Sequence, residues 1–267
     1  MLIEVNGKRM DFPGETAFAV REQIGSATDI VILNGFQLEN DCRLSDNDVL
    51  TIIGKSSMPE REELESMMMA RHTPNVYKKV KKSKVAIAGL GGLGSNIAVM
   101  LARTGVGRLL LVDFDVVEPS NLNRQSYYIS HLGMPKTTAL QQQLEEINPY
   151  ITIETRNVKV SENNIIELFR GYDIVCEAFD RPEAKSMLVN GILNQLPAAK
   201  IVSASGLAGY ESSNSIRTTR PMQRLYLCGD LVNGAKIGSG LMAPRVQICA
   251  GHQANMALRL LLGIEDI

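Results

Sequence analysis

Lys84-Val85-Ala86-Ile87-Ala88-Gly89-Leu90-Gly91-Gly92-Leu93-Gly94-Ser95, followed by Asn96-Ile97-Ala98-Val99-Met100-Leu101-Ala102, is the stretch that decides the fold. The apolar run 84–88 reads as a buried strand, 89–95 as a glycine turn, and 96–102 as a helix. Glycines at 89, 91 and 94 fit G-x-G-x-x-G, in which missing side chains let the backbone approach a phosphate. The helix that follows presents unpaired N–H groups and a partial positive charge to an anion. A bound nucleotide is the expectation. The glycines alone leave open whether it serves as a redox cofactor or as a reactant.

Downstream the pattern repeats. Leu109-Leu110-Leu111-Val112 is an apolar strand ending at Asp113. Residues 137–147 have helical spacing and stop at Asn148-Pro149. Residues 151–160 alternate as a strand, and Ser161 is placed to cap a helix through Phe169. Tyr172-Asp173-Ile174-Val175-Cys176 is a buried strand, and Pro182 opens a helix. Lys200 to Ala204 is a further strand, and residues 244–262 read as a terminal helix. Alternating strands and helices predict an α/β, Rossmann-like, mostly parallel sheet with helices on both faces.

Upstream, residues 1–57 read as a separate small module. Leu2-Ile3-Glu4-Val5 alternates into Asn6-Gly7, a strong hairpin signal, and Arg9-Met10-Asp11-Phe12 is the return strand. Thr16 can cap a helix through Ile24, with Gly25 after it. Ile30 to Leu33 and Val49 to Ile53 are two more strands. The order ββαββ predicts a β-grasp sheet with one helix across it. Residues 58–83 are a charged, methionine-bearing helical connector, and the nucleotide domain occupies 84–267. The lysines at 78, 79, 81, 82 and 84 read as a solvated face.

Bulk numbers narrow the function. The 267 residues carry a formal charge of −1, with 45% hydrophobic residues, 5% aromatics and no tryptophan. Such a balance exerts no general pull toward nucleic acid or an acidic membrane, and few aromatics are available for base stacking. Cys42, Cys176, Cys228 and Cys249 form no C-x-x-C pair, so no zinc site is expected. Sparse cysteines, the absence of a basic-then-apolar leader pattern and the lack of a long apolar run predict a cytoplasmic protein.

The ligand question turns on residues 113–136. An acid such as Asp113 at the end of the second strand suits a ribose and fits an NAD-linked oxidoreductase equally well. The segment Asp113-Phe114-Asp115-Val116-Val117-Glu118-Pro119-Ser120-Asn121-Leu122-Asn123-Arg124-Gln125 then adds amides and an arginine that a dehydrogenase would leave idle. Phosphoryl chemistry uses such groups to position and neutralise a transferring phosphate. Arg124 can clamp two oxygens, Asn121 can donate to another, and Lys136 supplies a point charge before a helix. Asp180 follows a strand at its ligand-binding end, and a carboxylate beside phosphates suits Mg²⁺.

At these residues the chain resembles the ThiF/MoeB/HesA family, relatives of the ubiquitin-activating enzymes. The matching stretches are 89–95, Asp113-Phe114-Asp115, Ser120-Asn121-Leu122-Asn123-Arg124-Gln125, Gly133-Met134-Pro135-Lys136 and Cys176-Glu177-Ala178-Phe179-Asp180. The resemblance implies an ATP-dependent adenylyltransferase that activates the C-terminal glycine of a ubiquitin-like sulfur carrier. It implies that Gly89, Gly91, Gly92, Gly94, Asp113 and Asp115 bind the nucleotide, with Asp113 on the ribose. Asn121, Arg124 and Lys136 would bind and polarise the phosphates, and Asp180 would hold Mg²⁺. It further implies a homodimer, in which Arg71 would reach into the partner's site. Some members dehydrate a tRNA adenosine derivative or serve the molybdopterin carrier.

Residues 1–57 resemble ThiS, the sulfur carrier of thiamine synthesis, which implies a thiamine role. The carrier's ending is missing: Gly54 is single and Lys55 follows. The module is therefore expected to dock, to dimerise or to regulate, and the adenylated carboxylate to come from another protein. Cys228 reads as structural, and so do Cys176 and Cys249. A non-catalytic binding module is the remaining alternative.

Overall fold

A computed structural model describes residues 1–54 and 59–267; the expected module boundary at residue 57 lies outside them. The chain divides into two compact units, Met1–Lys78 and Lys79–Ile267, and the division falls inside the expected connector.

The first unit holds β1 (Leu2–Val5), β2 (Lys8–Asp11), α1 (Ala17–Ile24), β3 (Ile30–Leu33), β4 (Phe36–Gln37), β5 (Val49–Ile53) and α2 (Arg61–His72). Its sheet has the order β2-β1-β5-β3-β4, with β1 and β5 parallel at the centre. Asn6 and Gly7, then Asn34 and Gly35, take positive φ, the backbone that a two-residue hairpin turn demands. The second of these turns creates β4, which the sequence reading missed. Thr16 accepts from the backbone N–H of Ala19 and starts α1 as expected. Ile3, Val5, Val20, Val31, Leu50 and Ile52 form the core of this β-grasp unit. Helix α2 packs against β5, and Ser66 on it is buried. A Cβ at Gly7 would lie 3.0 Å from the Ser66 hydroxyl, so glycine lets hairpin and helix approach.

The division between the units falls within α3 (Pro74–Lys82). The second unit continues with β6 (Lys84–Ala88), α4 (Gly92–Thr104), β7 (Arg108–Asp113), α5 (Lys136–Ile147), β8 (Thr152–Asn157), α6 (Ile165–Phe169), β9 (Ile174–Glu177), α7 (Pro182–Gln195), β10 (Lys200–Ala204), β11 (Arg217–Met222), β12 (Leu225–Gly229) and α8 (Ala243–Leu261). The sheet order is β11-β12-β10-β9-β6-β7-β8, parallel except for β11 at one edge. One face buries Ala86, Leu110, Val112, Phe169, Val175, Leu188 and Ile201, and α4 and α8 pack together elsewhere in this unit. The helix expected from Ser161 begins at Ile165 instead. Asn164 accepts from the Ser161 N–H and closes a turn there, a local bond that competes with a helical start. The strand expected over 151–160 is limited to Thr152–Asn157.

Strand order reverses between β6 and β9. The chain proceeds from β6 to β7 and β8 on one side, then crosses to β9 on the other. Open α/β sheets bind ligands at the carboxyl ends of strands where such a reversal opens a crevice. Gly89 follows β6 there, and Ala178 follows β9.

Candidate active site at the carboxyl ends of the sheet

The glycines of the first turn serve different needs. Gly89 has φ +91°, and a Cβ on it would meet the Ala178 carbonyl oxygen at 2.8 Å. A Cβ on Gly94 would lie 1.8 Å from the Gly89 carbonyl oxygen, which no side chain can occupy. A Cβ on Gly92 would lie 3.0 Å from Val246 and 3.5 Å from the Arg124 stem, whereas one on Gly91 would meet only Gln125 Nε2, at an ordinary 3.9 Å. Gly91 is the N-cap of α4, and no side chain caps that helix. Its first N–H groups are therefore offered to whatever anion enters the crevice.

Asp113 holds this turn from below. Its Oδ2 accepts from the Leu90 N–H at 2.6 Å, and its Oδ1 accepts from Phe114 and Asp115 N–H at 2.7 and 2.9 Å. Only 8% of the residue is exposed. The carboxylate expected on a ribose is thus engaged with three backbone donors. Tyr127 donates to the Leu90 carbonyl at 2.9 Å from the other side. Burial, then the charges of Asp113 and Asp115, push the Tyr127 hydroxyl above its ordinary range, so it stays a donor. Asp115 is half exposed and accepts from Lys136 Nζ at 3.1 Å; the lysine itself is buried at the first residue of α5.

Arg124 reaches the start of α4 through two polar residues that sequence reasoning left unassigned. Asn96 donates to the carbonyls of Gly92 and Arg124 at 2.6 and 3.2 Å, and Ser95 accepts from the Ser126 N–H at 3.1 Å. The segment 124–126 is thereby laid along the helix terminus. Arg124 Nη1 donates to the Ser120 carbonyl and to Asn123 Oδ1, while its buried Nε has no hydrogen-bond partner among the described residues. An orphaned cationic donor beside uncapped helix N–H groups fits phosphate oxygens. Asn121 is buried, and its side chain caps its own turn by accepting from the Glu118 N–H at 3.1 Å.

Across the crevice Asp180 is exposed, three residues past a fully buried Glu177. Glu177 is gripped by Lys185 Nζ at 3.1 and 3.0 Å, by the Ser203 hydroxyl at 2.5 Å and by the Phe179 N–H at 2.7 Å. No group of three metal-ligating side chains occurs among the described residues. Mg²⁺ would therefore need oxygen atoms of the ligand and water beside Asp180, which is that ion's habit at nucleotide sites. Farther along, Arg245 and Asp230 form a buried ion pair, and Arg245 also donates to the carbonyls of Glu211 and Ser212 at 2.8 and 2.9 Å. Burial disfavours the Asp230 charge, but hydrogen bonds from Asn233 and Val232 and the Arg245 guanidinium outweigh it and hold the carboxyl low. Arg71 is exposed on α2 of the first unit. Cys176, Cys228 and Cys249 are fully buried.

The chain matches the ThiF family over residues 64–267 and ThiS-like ubiquitin over residues 1–56. It belongs to the ThiF family. Among ThiF-family relatives, the molybdopterin-synthase adenylyltransferase of Haemophilus influenzae is 35% identical over 191 residues, covering 70% of this chain and 77% of that protein. The adenylyltransferase and sulfurtransferase UBA4 of Saccharomyces cerevisiae is 31% identical over 218 residues, and the match spans about half of UBA4, 49%. The chain is an enzyme of the MoeB/ThiF adenylyltransferase type. In fold it is similar to the E. coli tRNA N6-threonylcarbamoyladenosine dehydratase TcdA solved with ATP, with a TM-score of 0.69 at 18% identity, covering 78% of this chain and 98% of that one. No helix among the described residues is long and apolar enough to cross a membrane.

Proposed function

We propose that this ThiF-family chain transfers the adenylyl group of ATP to the C-terminal glycine carboxylate of a ubiquitin-like sulfur carrier. The observation that carries the reading is the meeting of the uncapped α4 terminus with the orphaned Arg124 donor at the strand-order reversal. A carboxylate oxygen bonds to the α-phosphorus, and the bond from that phosphorus to the bridging oxygen breaks. Pyrophosphate leaves with the electron pair. The carboxylate is already ionised near neutral pH, so the step needs no general base. The cost lies in bringing one anion to another, which cationic groups offset. Arg124 and the α4 N–H groups bind phosphate oxygens, and Lys136 exchanges Asp115 for another. Asp180 holds Mg²⁺, which neutralises phosphate charge when bound. Arg71 contributes from a partner subunit of a homodimer.

The built-in module has no free carboxylate, because Lys55 follows Gly54. The carrier therefore acts in trans. Two carriers have separate support: the ThiS-like match favours the thiamine carrier, and the curated relatives favour the molybdopterin carrier. An ATP–pyrophosphate exchange assay with each carrier tests the reading. Exchange is expected only with an intact Gly-Gly end, and Arg124→Ala is expected to slow it by about 100-fold. Absence of exchange with every Gly-Gly carrier, or full exchange by Arg124→Ala, would reject it.

A further inference from the structure

We propose that Glu177 and Lys185 are positioning residues that set Asp180 for its divalent cation, an inference that rests on the ATP-site reading above. A fully buried carboxylate at the end of a central strand is a costly choice for stability alone, since apolar packing does as well there. What the pair does geometrically is close a loop. Glu177 stands three residues before Asp180 and Lys185 five after it, and the ion pair joins them at 3.0 Å. The carboxylate also accepts from the Phe179 N–H, which folds the chain back immediately before Asp180. That folded turn is in contact with the glycine loop, because the Ala178 carbonyl is the atom that excludes any side chain at Gly89. Ser203 on β10 donates to the same carboxylate, and Gln253 on α8 donates to the Glu177 carbonyl at 3.0 Å. Three elements, α7, β10 and α8, together with the Phe179 turn thus fix Glu177, three residues before Asp180.

Equilibrium dialysis of ATP over a Mg²⁺ series tests this without turnover, with thermal melting as the check on folding. Lys185→Met is expected to raise the Mg²⁺ needed for half of the enhancement in ATP binding by about 10–100-fold, the usual effect of disturbing a ligand's support. ATP binding without Mg²⁺ stays the same, and Lys185→Arg restores most of the Mg²⁺ response. A purely structural pair would instead weaken ATP binding with and without Mg²⁺ alike. Should Lys185→Met fail to fold, the charge-neutral Glu177→Gln/Lys185→Met keeps the acceptor for the Phe179 N–H and is expected to show the same Mg²⁺ shift. An unchanged Mg²⁺ response in a folded variant overturns the proposal, as does failure of both variants to fold. Wild-type protein that binds ATP with Mg²⁺ yet supports no exchange would sink the carrier reading and leave this one standing. Wild-type ATP binding indifferent to Mg²⁺ would sink this one.

Discussion

Asp113 Oδ2 accepts a 2.6 Å hydrogen bond from the backbone N–H of Leu90, tying the end of β7 to the glycine turn after β6. The residue therefore holds the glycine turn through its backbone. Asp113→Asn replaces an acceptor with an amide donor that must face an N–H. Hydrogen bonds to charged groups contribute about 1.5–3 kcal/mol, so a loss of that size in chemical denaturation is expected. Weaker ATP binding should accompany it. An unchanged denaturation midpoint would contradict this account of Asp113.

Gly94→Ala tests the same turn by volume. The added Cβ would sit 1.8 Å from the Gly89 carbonyl oxygen, so the turn must move away from α4. Overpacking of this kind typically costs about 1–3 kcal/mol. The expected outcome is a folded protein with ATP binding lost in calorimetric titration. Gly91→Ala, whose Cβ would make only an ordinary 3.9 Å contact with Gln125 Nε2, should bind ATP far better than Gly94→Ala.

Arg245→Met should unpin the loops that follow β10 and β12. It strands the buried Asp230 carboxylate and frees the carbonyls of Glu211 and Ser212. Removing one partner of a buried pair costs about 3–5 kcal/mol. Because the Asp230 carboxyl lies below its ordinary value, its contribution is present at neutral pH and is lost as pH falls through that lowered value. Wild-type melting should fall steeply in that acid range, and Arg245→Met should show a smaller acid-dependent fall.

The thiols give an alkaline counterpart. Burial pushes Cys228 up to about 11 and Cys249 up to about 12, and it raises Cys176 as well. The folded chain thus holds these protons more tightly than the unfolded chain, whose thiols ionise near 9. Their stabilising contribution is full below that pH and fades as pH rises toward 11 to 12. A disulfide reagent at pH 8 should modify only the half-buried Cys42 before unfolding. Rapid modification of a second thiol would refute this, and it would reopen Cys228 as a nucleophile.

What the sequence made legible was local. Asn6-Gly7, Thr16 and the glycines at 89 and 94 each fix backbone within a few residues, so the hairpin, the first helix and the glycine turn could be read directly. Strand β11 was hidden because Arg217–Met222 is a polar edge strand containing Pro221, with a register shift between Thr219 and Met222. An edge tolerates a proline that a central strand would not.

Among the proposed site residues, Arg124, Lys136 and Asp180 stand out in the sequence because phosphate chemistry demands their types. Asp113 was legible as an acid at a strand end, but its backbone partners carry no side-chain signature. Glu177 gave no signal of burial, since its partners Lys185, Ser203 and Gln253 sit on three different elements. Asn96 reads in the sequence as an ordinary helical residue, and only the fold brings its amide to the Gly92 and Arg124 carbonyls.

Helix α2, seated against β5 of the β-grasp unit, makes that unit depend on more than its own sheet. Ser66 on the helix is buried, and Gly7 in the first hairpin leaves the room its hydroxyl occupies. Cutting the chain after Gly54 would strip that cover from β5, so the five strands and α1 are not by themselves the whole packed unit.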